Sequence, residues 1–348
     1  MGRKYMGSLA LLLCLIGLTC FVIVQNNDMT AVFAAISAAD TDWLLVGAAA
    51  ALFFVVAEGG IIWYLLRTLG LRIRMTHCAA WSFIGFFFSG ITPSATGGQP
   101  VQLFYMKREG LSFSETTPVL MVVAVLYKFV LAVLGILFLL FRGRTLAGYF
   151  GQHVWLFYLG IILNIAVVMI LIWVMVTPQY AERAALYLEG CLVRVRILRV
   201  SQEREEKIRS AVKRYGEVVQ FFRKNPKKIA VATGMTLIQR SSLFLLTWCI
   251  YCSMGLYQES IWTIMMLQAA VYIAVDMLPF PGAAGISELV YTVVFASVFP
   301  GELLAASLCI SRGISFYFVL LFSAAVWGIW HWYGPNAVRK KEKRECIC

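Results

Sequence analysis

The chain has 348 residues, of which 61% are hydrophobic and 14% are charged, and its mean hydropathy is +0.79. Soluble domains carry nearer a quarter charged residues, so this composition excludes a soluble globular protein and predicts an all-α polytopic membrane protein. The net charge of +12 indicates cytoplasmic segments that attract anionic lipid headgroups and requires no nucleic-acid partner.

The chain begins with two predicted spans. Gly7–Val24 is apolar and follows Arg3 and Lys4, so the N-terminus is expected in the cytoplasm. Trp43–Leu66 returns to the cytoplasmic side. These two segments start the bundle.

The next apolar segment, Cys78–Met106, is interrupted by Ile91–Pro100, which contains two prolines and two adjacent glycines. Such a cluster cannot continue a helix, and neither half has the about 20 residues that a membrane crossing needs. The segment is therefore predicted to dip into the membrane and return to the same side. Pro100 suits the first position of a half-helix, Val101–Glu109, that Gly110 closes.

Two further spans follow, over Thr117–Phe141 and His153–Val176. The segment 178–228 then holds 13 Lys and Arg residues against 6 Asp and Glu residues, which predicts a cytoplasmic loop. Its apolar residues recur at helical spacing, so we expect two amphipathic helices on the inner membrane surface. They would cover the underside of the bundle or bind anionic lipid, and both roles remain open. Ile229–Tyr251 is the next span.

A second interrupted segment repeats the pattern of the first. Ile261–Leu278 runs into the breaker Pro279–Glu288, and the short apolar helix Leu289–Phe299 follows. Ser287 is a suitable cap for this second half-helix, which would enter from the opposite side of the membrane. Leu303–Trp330 completes the bundle.

The predicted architecture is thus one membrane domain over 1–348, with six full spans, two opposed re-entrant helical hairpins and a basic cytoplasmic tail at 334–348. In this arrangement two half-helix N-termini meet near the midplane. Each N-terminus carries about half a positive charge and unpaired N–H groups, which together form an anion site built from backbone. Transporters with inverted repeats use this arrangement.

Six ionisable side chains lie inside predicted membrane segments. They are Glu58, Lys128, Arg240, Asp276, Glu288 and Arg312. A charge at that depth costs on the order of 3 kcal/mol, so each needs a partner. Two interpretations stay open: the six form ion pairs that hold the helices in register, or at least one cation meets an anionic substrate. Glu288 has a third explanation, because a carboxylate in the first helical turn complements the helix dipole.

No catalytic or cofactor motif accompanies these charges. The three histidines, His77, His153 and His331, stand near membrane edges and form no pair with metal-ligand spacing. The sequence contains no G-x-S-x-G and no phosphate-binding P-loop. We therefore expect no metal, no cofactor and no hydrolytic activity.

The two breakers have a recognisable form. Thr92-Pro93-x-x-x-Gly97-Gly98-x-Pro100 and Pro279-x-Pro281-Gly282-x-x-Gly285-x-x-Glu288, in this order, resemble the membrane region of lysylphosphatidylglycerol synthase. That family is also called flippase-like, and its best-known member is the multiple peptide resistance factor. Ala283 departs from the pattern, where a second glycine is expected.

The resemblance implies that phospholipid or aminoacyl-phospholipid moves between leaflets of the bacterial plasma membrane, in some members as part of resistance to cationic peptides. Both termini would be cytoplasmic. The expected partners are membrane phospholipids, with a homodimer or a separate lipid-modifying enzyme left open. The expected substrate-binding residues are Thr92, Gly97, Gly98, Gly282, Gly285, Lys128, Arg240 and Arg312, and those expected to gate or balance charge are Glu58, Asp276 and Glu288.

Two rival functions remain. The family name suggests a phosphatidylglycerol lysyltransferase that takes lysine from tRNA, but that activity belongs to a soluble domain. Because the chain ends at Cys348, shortly after its last predicted span, we expect no such domain and no enzyme. The second rival is a membrane scaffold for another lipid-modifying enzyme.

Overall fold

The computed structural model describes residues 29–92, 96–177, 202–276 and 285–334, and these ranges are helical without β-strands. The predicted span Gly7–Val24, the first amphipathic helix and the tail after Gly334 lie outside the described residues. The helices are α1 (Met29–Ala38), α2 (Thr41–Thr68), α3 (Met75–Gly90), α4 (Gly98–Arg108), α5 (Phe113–Phe150), α6 (Val154–Val176), α7 (Gln202–Lys224), α8 (Pro226–Ser253), α9 (Ile261–Val275), α10 (Ile286–Phe295), α11 (Leu303–Arg312) and α12 (Val319–Tyr333).

Four helical segments of the described chain are long and apolar enough to cross a membrane. They are Thr41–Thr68, Phe113–Val176, Pro226–Ser253 and Leu303–Tyr333. The second contains both α5 and α6, joined by the short 3-10 turn Gly151–His153. The architecture is therefore that of a polytopic α-helical membrane protein, as the composition predicts.

Helix α5 runs further than the predicted span, which ended at Phe141. Its backbone leaves helical geometry at Arg142 (φ −136°, ψ 15°) and then continues to Phe150. The predicted end therefore marks a kink rather than the end of the helix.

Helix α6 displays a broad apolar surface. Ile162, Met169, Ile170 and Trp173 are all exposed. A soluble protein rarely leaves so continuous an apolar patch uncovered, whereas lipid chains match it. This face is the outside of the bundle.

The first interrupted segment folds into a helical hairpin. Gly85 of α3 lies against Gln102 of α4, and Gly98 lies against Ser89 and the backbone of Gly85. From Gly85 to Ser89 the chain advances along α3, while the contacted residue moves back along α4 from Gln102 to Gly98. The two helices therefore run antiparallel. The chain therefore breaks and turns back between α3 and α4, and the predicted return to the same side of the membrane stays a prediction.

The ends of α4 differ in how well the sequence predicted them. The helix begins at Gly98, two residues before Pro100, so placing Pro100 at the first helical position was wrong. The other end is as predicted: Gly110 has a φ of +100°, and its N–H donates to the carbonyl of Lys107. That left-handed conformation favours glycine.

A buried carboxylate fixes the far end of this hairpin. Glu109 Oε1 accepts hydrogen bonds from the indole N–H groups of Trp81 (3.1 Å) and Trp330 (2.8 Å). Its Oε2 lies 2.6 Å from His77 Nδ1. Glu109 thereby ties α3, the end of α4 and the final helix α12 together.

The second interrupted segment contributes α9 and α10, which pack against each other within one buried cluster. Most of its breaker, residues 279–284, lies outside the described residues. The predicted cap was wrong: Gly285, with a φ of +89°, occupies the N-cap position, and Ser287 is already inside the helix. Only glycine adopts such a φ without strain.

Helix α7 is the second of the two predicted amphipathic helices. Tyr215, Val218, Val219 and Phe222 form its buried face, and the Tyr215 hydroxyl contacts the sulfur of Met121 on α5 at 3.2 Å. This helix therefore packs against the bundle, and its predicted place on the cytoplasmic underside stays a prediction.

Candidate functional site

The first break is closed by its own threonine. The Thr92 hydroxyl donates to the carbonyl of Phe88 (2.6 Å) and accepts from the N–H of Gly97 (2.9 Å). A Cβ at Gly97 would lie 2.6 Å from the Thr92 methyl group, and one at Gly98 would lie 2.1 Å from the Ser89 hydroxyl. Both glycines therefore let the chain turn tightly and let α3 and α4 pack closely. Their predicted role in substrate binding stays a prediction.

Helix α4 is anchored to α2 through a polar contact inside the bundle. The Gln102 side chain is buried, and its amide N–H donates to Glu58 Oε1 at 3.0 Å. It reaches Glu58 by crossing Gly85, where a Cβ would stand 2.2 Å from the Gln102 amide nitrogen. The absence of a side chain at Gly85 on α3 therefore leaves the space in which Gln102 of α4 reaches Glu58 on α2.

The start of α10 is organised around Glu288. Its Oε2 accepts from the backbone N–H of Gly285 (2.5 Å) and from the Ser287 hydroxyl (2.9 Å). Its Oε1 lies 2.8 Å from Arg312 Nη2, and Arg312 also donates to the Ser287 hydroxyl. Glu288 thus combines two of its predicted explanations, because it occupies the first helical turn and forms an ion pair. Gly282 lies outside the described residues.

Lys128 and Asp276 form a second ion pair, between the middle of α5 and the end of α9. The other carboxylate oxygen of Asp276 accepts a hydrogen bond from the hydroxyl of Tyr127, the residue next to Lys128. Two consecutive residues of one helix therefore hold both oxygens of the carboxylate that precedes the second breaker. Two of the three predicted cations, Lys128 and Arg312, already have carboxylate partners.

Arg240 differs from both. It lies near the middle of the 28-residue helix α8 and its residue is only 8% exposed, yet no described carboxylate lies within ion-pair distance of it. Its guanidinium carbon sits 3.3 Å from the ring centre of Tyr127 and 4.7 Å from that of Phe54. Its Nε is buried and has no hydrogen-bond partner among the described residues.

The charged residues lie close to one another. Arg240 Cζ and Lys128 Nζ lie 3.3 Å and 4.5 Å from the same Tyr127 ring centre, so these two atoms are less than about 8 Å apart. The charge of Arg240 also acts on the Glu58 carboxyl. The Tyr272 hydroxyl on α9 lies within electrostatic range of Arg312, Arg240 and Asp276.

The structure therefore brings all six predicted ionisable residues into one region around Tyr127 and Tyr272. Sequence reasoning missed Tyr127, Tyr272 and Gln102. Tyr127 could have been singled out by its place beside Lys128, and Gln102 by being a polar amide in a short apolar half-helix. Tyr272 carries no signal that separates it from other tyrosines in membrane segments.

Within the described ranges, no three His, Cys, Asp or Glu side chains converge as metal ligands would. What this region holds is a set of carboxylates and cations with hydroxyl and amide donors between them. Such a set is suited to binding and exchanging ions.

Residues 6–323 match the family model described as the lysylphosphatidylglycerol synthase TM region. The chain belongs to this family. It is also similar to the UPF0104 membrane protein PH1989 of Pyrococcus horikoshii, with 25% identity over 242 residues that cover 68% of this chain and 71% of that protein. Both helix breaks and all six ionisable residues fall inside the matched range. The resemblance inferred from the two breaker motifs is thereby confirmed.

Membership of the lysylphosphatidylglycerol synthase TM family places the described charges in a membrane-embedded domain. The long apolar segments of the chain are consistent with that setting. Ion pairs such as Lys128–Asp276 and Arg312–Glu288 are therefore contacts between membrane helices, where carboxylates and cations rarely occur without a function.

Proposed function

We propose that this protein moves an anionic phospholipid between the two leaflets of a cell membrane, and that Arg240 binds the headgroup phosphate. The observation that carries the proposal is the buried Arg240 Nε, which has no acceptor among the described residues. Its place in a membrane domain of the lysylphosphatidylglycerol synthase TM family supplies the lipid context.

The first supporting argument is energetic. A cation at the centre of a membrane helix costs about 3 kcal/mol even on the lenient insertion scale, and leaving a buried donor without an acceptor costs a further ~1–3 kcal/mol. Lys128 and Arg312 offset such costs with Asp276 and Glu288. Arg240 has two aromatic rings instead, so an arriving anion gains more at Arg240 than at either paired cation.

The second argument is geometric. The N–H groups of a guanidinium lie in its plane, and rings stacked against that plane leave its edge to an acceptor. A phosphodiester presents two oxygens that match this edge in a bidentate contact. Lys128 Nζ and Arg240 Cζ both contact the Tyr127 ring and lie less than about 8 Å apart, so Lys128 is close enough to contact the same phosphate.

The third argument concerns how a headgroup reaches this depth. Two helix breaks belong to segments that contact the charged region. The break at Thr92–Gly97 precedes α4, whose Gln102 donates to Glu58, and the second break ends at Gly285, whose N–H donates to Glu288. In our proposal the hairpins dip from opposite faces, and their movement opens the site to one leaflet and then to the other. Irregular backbone inside a membrane is tolerated only where protein buries it or water reaches it, which suits such a path.

The test is leaflet exchange in liposomes. The purified full chain is reconstituted with fluorescent phosphatidylglycerol or fluorescent phosphatidylethanolamine, and the accessible label is quenched from outside over time. We expect the wild type to accelerate exchange of the anionic lipid and Arg240→Gln to lower that rate at least tenfold. The matched control is Arg144→Gln, because Arg144 is exposed at the end of α5 beyond the kink.

Two results would overturn the proposal: exchange no faster than in protein-free liposomes, or equal rates for wild type and Arg240→Gln. Thermal unfolding of both variants in detergent shows whether a lost rate reflects a lost fold.

A further inference from the structure

Asp276 occupies a singular position beside the proposed phosphate site. It is the residue at the C-terminal end of α9, immediately before the second breaker. Tyr127 and Lys128 hold its two oxygens, and the Tyr127 ring is the one that covers Arg240. The proposed anion site and the carboxylate at the breaker are therefore joined through a single side chain.

An anion bound to Arg240 would share Lys128 with Asp276. One ammonium group would then face two negative charges in a region where the side chain of Asp276 is only 14% exposed. Repulsion between two anions in such surroundings raises the free energy of binding, and protonation of one of them removes it. The phosphodiester is far too acidic to take that proton near neutral pH, so Asp276 takes it.

We infer that anion binding at Arg240 is linked to proton uptake by Asp276, so that the substrate travels with a proton. This rests on the function proposed above. In the loaded state the carboxylate of Asp276 has gained one proton from the water on the loading side. Lys128 keeps its charge and moves its contact from Asp276 to the phosphate oxygen. One negative and one positive charge enter together, so loading is electroneutral.

The other charged and titratable groups around Asp276 support this assignment. Helix α5 presents Lys128 and Tyr127, α8 presents Arg240, and α9 itself presents Tyr272. Helix α6, which packs on α9, has no charged residue. Helix α10 brings Glu288, which is already held by Gly285, Ser287 and Arg312.

Glu58 on α2 is the competing carboxyl near Arg240. It accepts a hydrogen bond from the Gln102 amide, whereas the ion-pair partner of Lys128 among the described residues is Asp276. Because only Asp276 shares a cation with the incoming anion, Asp276 and not Glu58 should take up the proton. Comparing Asp276→Asn with Glu58→Gln therefore separates the two.

The sign of the pH effect follows from this linkage. If binding takes up a proton, lowering the pH tightens anion binding, by up to ~tenfold per pH unit while Asp276 is ionised in the free protein. Asn at position 276 imitates the neutral carboxyl. Asp276→Asn should therefore bind the anion at neutral pH as tightly as the wild type does at acid pH, and its affinity should no longer depend on pH.

The experiment uses the detergent-solubilised full chain and dihexanoyl phosphatidylglycerol, a soluble short-chain anionic phospholipid. Calorimetric titration in two buffers with different ionisation enthalpies counts the protons taken up per lipid bound. We expect close to one proton for wild type, for Glu58→Gln and for the matched control Asp42→Asn, whose carboxylate is exposed at the start of α2. We expect close to zero for Asp276→Asn.

The outcomes are separable. A wild type that binds the lipid without proton uptake overturns the linkage and leaves the proposed function standing, whereas a wild type that does not bind overturns both. Uptake that persists in Asp276→Asn also overturns the linkage. If Asp276→Asn does not fold, Glu58→Gln decides: uptake retained there supports Asp276, and uptake lost there overturns it.

Discussion

Gly85 gives the most discriminating test of how the first hairpin is attached to the charged interior. An alanine there would place its Cβ 2.2 Å from the Gln102 amide nitrogen and 2.8 Å from its Cγ, which no side chain tolerates. The Gln102 side chain must leave, and its 3.0 Å hydrogen bond to Glu58 is lost.

The magnitude follows from two opposing effects. A hydrogen bond to a charged group contributes about 1.5–3 kcal/mol, while alanine is about 1 kcal/mol better than glycine inside a helix. Gly85→Ala should therefore lower the free energy of unfolding by about 0.5–2 kcal/mol. In a Gln102→Ala background the obstruction is gone, so the same change should raise stability by up to ~1 kcal/mol.

The assay is a double-mutant cycle of thermal unfolding in detergent, with leaflet exchange measured on the same four proteins. The reversal of sign between the two backgrounds is the diagnostic result. If Gly85→Ala destabilises the protein equally with and without Gln102, the glycine serves general packing, and the claim that it leaves space for the Gln102 side chain is wrong.

Two further perturbations probe the scaffold. Gly160→Ala would put a Cβ 2.1 Å from a backbone oxygen of α9, so it should force α6 and α9 apart and lower the unfolding temperature. Gly148→Ala is the control, because a Cβ there has nothing within 4 Å, and it should leave the unfolding temperature unchanged or higher. Equal effects of the two changes would contradict the close crossing of α6 and α9. Glu109→Ala leaves the indole N–H groups of Trp81 and Trp330 without their acceptor, so it should lower the free energy of unfolding by about 3 kcal/mol and change the tryptophan emission. Unchanged emission and unchanged stability would show that this contact contributes nothing.

The sequence was most informative about where helices stop. The proline and glycine clusters at Ile91–Pro100 and Pro279–Glu288 placed both breaks, since no helix continues through such residues whatever surrounds it. Exact helix starts were less predictable. Gly98 begins α4 in close contact with Ser89 and the backbone of Gly85, and Gly285 caps α10 with a φ of +89°. Both features depend on how the neighbouring chain is placed.

The depth of the charged residues in the membrane, obtained by counting residues along each helix, stays a prediction. Which acid pairs with which base could not be predicted from the sequence. Asp276 pairs with Lys128, 148 residues away in sequence, and Glu288 pairs with Arg312. Arg240 contacts aromatic rings instead. That outcome depends on how each helix is rotated about its axis, and the apolar segments carry too little amphipathic pattern to fix the rotation.

The same limit explains the missed residues. The importance of Tyr127 lies in two contacts: its ring packs against Arg240, and its hydroxyl donates to Asp276. Neither contact is local in sequence. A tyrosine in a membrane segment is otherwise unremarkable, since its hydroxyl finds an acceptor in many places.

The central claim is that the Arg240 guanidinium contacts a lipid phosphate. A crystal structure of the full chain grown from a lipid mesophase doped with phosphatidylglycerol tests it most directly. The account predicts phosphate oxygens within hydrogen-bond distance of Arg240 Nε and Nη, with Tyr127 still stacked on the guanidinium. A guanidinium turned to Glu58 or Asp276, with no phosphate in reach, would contradict it.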